Sequence, residues 1–108
     1  MANELHDLSI AELSGLVAAR KLSPVDLVDA LIQRIEQHDD QTRAFITRTF
    51  DLARRQAREA EAEIAAGRSR GPLHGIPVGV KDLFDTAGVA TEGGSRAYEG
   101  RVPGADAA

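Results

Sequence analysis

Lys81 and Asp82 close the stretch Gly71-Pro72-Leu73-His74-Gly75-Ile76-Pro77-Val78-Gly79-Val80-Lys81-Asp82, where the residue types best suited to chemistry gather. Lys81 is one of two lysines among 13 basic residues, and the rest are arginine. Arginine stays charged in proteins, whereas a desolvated lysine can lose its proton and act as a base. Two readings of Lys81 therefore stand side by side. In one it accepts a proton during catalysis. In the other it ends an apolar strand and pairs with Asp82 or Asp85, as a solvated lysine commonly does. Asp82 either supports Lys81 or receives a backbone donor.

The other candidates carry less. His6, His38 and His74 lack metal-ligand spacing. His74 reads as a turn histidine, with a substrate contact as the alternative. The glycines of residues 71–79 are not followed by Gly-Lys-Ser/Thr, so they do not form a phosphate loop. Zero cysteines exclude a disulfide framework and any cysteine-ligated zinc or iron–sulfur centre. Arg54, Arg55 and Arg58 are interleaved with Glu59, Glu61 and Glu63, including Arg55–Glu59 at i,i+4, which reads as a solvated helix face and not an anion site. Asp39-Asp40 reads as a solvated turn after the second helix.

The elements that must position these groups fall into two unlike regions. Residues 1–66 hold one glycine and one proline and read as helical, whereas residues 67–108 are rich in both and read as strands and tight loops. Ser9-Ile10-Ala11-Glu12 is a capping box that starts a helix running to about Lys21. Ser23-Pro24 starts a second helix, with Pro24 at the first helical position. Its apolar stripe is Leu27, Val28, Leu31, Ile32 and Ile35, and the short corner before it predicts packing of the first two helices on each other. A third helix is expected over about Asp51 to Ala66, stopped by Gly67, with a small-residue stripe of Ala53, Ala57, Ala60 and Ile64. Ala44-Phe45-Ile46-Thr47 reads as a short strand, and Ile76, Val78 and Val80 alternate as a second. Pro77 makes that second strand an edge or a bulge.

A chain of 108 residues is one domain or part of one. The net charge of −4 excludes a general nucleic-acid binder. No apolar run approaches about 18 residues, so no membrane span is expected. Met1 to Asp7 lacks the basic and apolar regions of a signal peptide, and the expected location is the cytoplasm.

The block from Gly71 to Asp82, followed by Thr86-Ala87-Gly88-Val89-Ala90-Thr91 and Gly94-Ser95, resembles the amidase signature family. The upstream Leu8-Ser9-Ile10-Ala11-Glu12-Leu13 and Leu22-Ser23-Pro24-Val25-Asp26-Leu27 segments are similar to that family's N-terminal helices, as is the Pro103 and Asp106-Ala107 ending. The resemblance implies an α/β chain, N-terminal helices plus short strands, forming part of a larger mixed-sheet α/β/α fold. It implies hydrolysis of a carboxylic amide by a lysine, a bridging serine in cis linkage and a nucleophilic serine. Lys81 matches the lysine, and Asp82 takes a supporting role. The resemblance places both serines in a later glycine/serine-rich segment, so the chain is expected to be an N-terminal portion, inactive alone. Gly93-Gly94-Ser95 matches the loop after the lysine instead, which makes Ser95 a turn residue. The implied partner is a small-molecule amide, with no metal or organic cofactor, no nucleic acid and no membrane; self-association is left open. Two alternatives remain. One is the amidase-type subunit of a glutamyl-tRNA(Gln) amidotransferase, although such subunits tend to carry asparagine where Leu83 stands. The other is a non-catalytic interaction or dimerisation module.

Overall fold

The computed structural model describes residues 4–108. Contacts divide them into two compact units. One holds the residues through Arg43 together with Thr49–Pro77, and the other holds Ala44–Arg48 and Val78–Ala108.

The first unit is built from three helices: α1 (Ile10–Ala18), α2 (Pro24–Thr42) and α3 (Phe50–Ala65). The capping box forms as expected. The Glu12 N–H donates to Ser9 Oγ at 3.1 Å, and the Ser9 N–H donates to Glu12 Oε2 at 2.7 Å. Ser23 caps α2 by accepting from the Val25 and Asp26 N–H groups at 3.1 and 3.4 Å. These side chains satisfy donors that have no partner inside the helix. Gly67 ends α3 in the left-handed conformation, donating to the Ile64 carbonyl while Arg68 donates to that of Glu63. That is the Schellman arrangement.

α1 is shorter than its pattern suggested. It closes with the same arrangement, Arg20 donating to Val17 and Lys21 to Leu16, so Arg20 takes the left-handed position at φ 59°. Conversely, α2 continues through Asp39-Asp40 to Thr42 and turns out at Arg43, φ 49°. Asp39 is therefore not part of a solvated turn. It is a buried helical residue whose Oδ1 accepts from Thr42 Oγ1 at 3.1 Å. No glycine or proline marks either end, so the boundaries had no local signal.

Val28 and Ile32 of α2 pack on Ala57 of α3, with Val25, Phe50 and Ala53 around them. The alanines let the two helices approach, and α2–α3 is the principal helix pair, in place of the α1–α2 pair the short corner suggested. Leu27 is fully buried, and a side chain of that size contributes about 1.5–3 kcal/mol by leaving water. Leu13 and Val17 are the buried face of α1. The turn after α3 seats against this unit through Gly75. At φ 85° it adopts a conformation other residues resist, and a Cβ there would lie 2.9 Å from Pro24 Cγ and 3.3 Å from Val17 Cγ1. Ser14 Oγ donates to the Pro72 carbonyl at 2.6 Å in the same unit.

The expected strands over Ala44–Thr47 and Ile76–Val80 do not form. Among the described residues the β pairing is an isolated bridge between Thr86 and Val89. A strand exists only if a neighbour supplies its donors and acceptors. Val78 and Val80, the residues of the alternating pattern, are 72% and 60% exposed. The second unit is thus a hydrogen-bonded loop assembly with one short helical turn, Arg96–Tyr98.

Two outcomes test these constraints by chemical denaturation. Arg20→Gly raises stability by about 0.5–1 kcal/mol, because glycine removes the left-handed penalty at some entropic cost. Gly75→Ala lowers it by about 1–3 kcal/mol through the same penalty plus the clash with Pro24.

Candidate active site

Lys81 opens a tight turn. Its carbonyl accepts the Phe84 N–H at 3.0 Å, and its side chain is exposed. The ion-pair reading named Asp82 and Asp85 as partners, and both carboxylates are engaged elsewhere. Asp82 Oδ1 accepts the Glu92 N–H at 3.0 Å, while the Asp82 carbonyl accepts the Gly93 N–H at 2.9 Å. Asp85 meets Arg101 in a two-pronged pair, at 2.7 Å to Nη1 and 2.9 Å to Nη2. No ion pair of Lys81 occurs among the described residues.

Turn chemistry supports this arrangement. Gly93 and Gly94, at φ 61° and 69°, form the centre of a turn closed by the Ser95 N–H on the Glu92 carbonyl at 3.1 Å. Two successive left-handed residues make a type I′ turn, which glycine adopts without steric cost. Ser95 is then a cap: its Oγ accepts the Ala97 N–H at 3.2 Å. Glu92 folds back so that its carboxylate accepts the Gly100 N–H at 2.6 Å. A shallow cleft of about 240 Å³ borders this loop, with Asp82, Glu92, Ser95, Arg96 and Glu99 among its lining residues.

A second set of bonds ties the far end of the loop to its start. Thr91 donates to the Arg101 carbonyl, Gly88 to Pro103, and Ala107 to Asp85, at 3.0, 3.0 and 2.8 Å. Asp106 Oδ1 accepts the Ala87 N–H at 2.8 Å, and Arg101 also reaches the Thr91 carbonyl at 3.3 Å. Charge-assisted hydrogen bonds from the Arg101 guanidinium hold the Asp85 carboxyl below its ordinary range, and Asp85 in turn raises Arg101. Asp85 and Arg101 stand 16 residues apart with no periodic relation, so sequence reading had no signal for their pairing.

In the helical unit, His74 is a buried turn residue, its side chain 4% exposed. Its Nδ1 accepts the Arg70 N–H at 3.0 Å, and its Nε2 lies 3.6 Å from Glu63 Oε2. Glu63 also pairs with Arg70 at 3.1 Å. On the arginine face of α3, Arg54 pairs with Asp29 at 2.9 Å and with Asp51 at 3.9 Å, and no ion pair of Arg55 occurs among the described residues. Among the described residues no three His, Asp or Glu side chains converge as a metal site, and no helix is long and apolar enough to cross a membrane.

Comparison with known proteins defines the class of protein to which this loop and these helices belong. The amidase family profile matches residues 26–108, and the chain belongs to the amidase family. It is 44% identical over 106 residues to the A subunit of the glutamyl-tRNA(Gln) amidotransferase of Anaeromyxobacter sp. (strain K), covering 98% of this chain and 22% of that relative. The subunit of the same name from Geobacter sp. (strain M21) is 45% identical over 100 residues, 93% of this chain and 20% of its own length. A solved structure reported as "An unexpected vestigial protein complex reveals the evolutionary origins of an s-triazine catabolic enzyme" superposes with a TM-score of 0.85 at 31% identity, covering 92% of this chain and 22% of that one. The chain therefore spans about a fifth of the length of these relatives.

The Asp85–Arg101 pair has a testable sign. A carboxyl held below its ordinary value of 3.8 contributes stability that is complete above that value and is lost as pH falls through the lower, folded value. Arg101→Leu returns the Asp85 titration, followed by carboxyl NMR, to near 3.8. An unmoved titration would show that the pair does not hold Asp85.

Proposed function

We propose that this chain supplies the lysine of an amide-cleaving site, with Lys81 as the proton acceptor. The observation that carries the reading is Lys81 itself. It stands where the family resemblance puts a lysine, exposed, at the start of a braced turn, with Asp82 and Asp85 hydrogen-bonded to other groups. A neutral Lys81 amine takes a proton relayed through a bridging serine from a nucleophilic serine. The serine oxygen attacks the amide carbonyl, and backbone N–H groups stabilise the oxyanion. The relay returns the proton to the departing nitrogen as the C–N bond breaks, and water then hydrolyses the acyl-serine ester. Neither serine is assigned to a residue of this chain.

Within this reading the substrate is a small carboxylic amide. The curated relatives favour one form of it, in which the protein acts as the amidase-type subunit of a glutamyl-tRNA(Gln) amidotransferase, releases ammonia from glutamine and works with partner chains. Leu83 is the position that speaks for a stand-alone amidase.

The protein as its gene encodes it decides between them. Ammonia release is measured from glutamine and from acetamide and benzamide. Lys81→Ala lowers kcat/KM by about 10³-fold with the thermal midpoint unchanged, in the range general-base groups contribute. Retained turnover in that variant rejects the role of Lys81. Activity confined to glutamine supports the amidotransferase form, and activity on the simple amides supports the stand-alone enzyme.

A further inference from the structure

His74 faces two groups that make opposite demands on its ring. Nδ1 accepts the Arg70 N–H at 3.0 Å, so it keeps a lone pair there. A neutral imidazole that accepts at one nitrogen carries its proton on the other, which puts the hydrogen on Nε2. Nε2 lies 3.6 Å from Glu63 Oε2 of α3 and 3.3 Å from Arg70 Nη2. The Arg70 guanidinium donates to Glu63 instead, from Nε at 3.1 Å and Nη2 at 3.4 Å, so the Nε2 hydrogen is left to face the carboxylate. Among the described residues, Glu63 and Arg70 are the charged groups at the ring. The cavity of about 250 Å³ beside it is otherwise lined by uncharged residues, Ser14 and Val17 of α1 and Ile64 of α3 among them.

The Arg70–His74 bond closes a turn that ties this segment down. Within the turn the His74 N–H donates to the Gly71 carbonyl at 3.1 Å, and the Pro72 carbonyl takes the Ser14 hydroxyl at 2.6 Å. Gly75 follows directly, against Pro24 and Val17. We propose that His74 is a proton-operated latch on this turn. Neutral, it holds the turn closed through the Arg70 amide. Charged, it releases that amide and pairs with the Glu63 carboxylate. A proton taken from solvent at Nδ1 makes both ring nitrogens donors. Two donors then meet where the Arg70 bond was, and ring and amide must part. Glu63 gives the charged ring an acceptor, so the second state forms without unfolding the helices. The latch does not depend on the role of Lys81.

The test follows the ring nitrogens and the Arg70 amide together, by nitrogen NMR and hydrogen exchange on the protein as its gene encodes it. The Nε2–H tautomer is expected at neutral pH, and an Nδ1–H ring overturns the proposal. Between about pH 8 and about pH 5, the span in which histidine changes charge, protection of the Arg70 amide falls about tenfold, as loss of one hydrogen bond allows. That protection is corrected for the intrinsic pH dependence of exchange, and its midpoint matches that of the ring nitrogens. Protection that persists once the ring has charged, or that falls at another midpoint, overturns the latch, as does a ring that stays neutral throughout. His74→Asn isolates the cause. Its side-chain oxygen matches Nδ1 in distance from the backbone and accepts without titrating, so Arg70 protection stays level over the same span. A fall of wild-type size in that variant assigns the effect to another group and rejects the latch. Should His74→Asn fail to fold, the shared midpoint in the wild-type protein decides alone.

Discussion

The residues from Val78 onward must find partners for their backbone amides without a β-ladder, and that constraint shapes the second unit. Each unmade backbone bond away from water costs as much as a lost hydrogen bond. The chain meets the requirement by doubling back. Asp85 and Arg101 form the brace, and the amides of Gly88, Thr91 and Ala107 close across it. The paired glycines Gly93 and Gly94 allow the reversal that brings Glu92 and Asp82 together. Lys81 stands at the entrance to this assembly, so its position follows from bonds made by residues as far along the chain as Ala107.

The helical unit works on a different principle. Its core is a narrow contact between the Val28–Ile32 face of α2 and Ala57 of α3, where small side chains permit close approach. Side-chain caps begin α1 and α2, and left-handed residues end all three helices. His74 and Gly75 bring the segment that follows α3 back onto this unit. His74 fixes the turn within that segment by accepting the Arg70 N–H, and Gly75 seats it by leaving room for Pro24 and Val17. A histidine that first reads as a turn residue or a substrate contact is here part of a turn. An aspartate that first reads as solvated, Asp39, is buried because α2 runs past it.

Local chemistry was legible in the sequence. Ser9 with Glu12, Ser23 with Pro24, and Gly67 each act within four residues, so their helix ends could be read directly. The three helices, the small-residue stripe of α3, the turn role of Ser95 and the family itself came from the same short-range patterns and from the ordered motif ending in Lys81-Asp82. Tertiary structure decided what depends on distant partners. Alternation at Ile76, Val78 and Val80 shows that a segment suits a sheet, but a strand needs a neighbour's donors and acceptors, and none of the described residues provides them. The partners of Asp82 and Asp85 were equally hidden. Ten to sixteen residues separate each from its donor, and only the folded loop brings Glu92 and Arg101 into hydrogen-bond range while leaving Lys81 exposed.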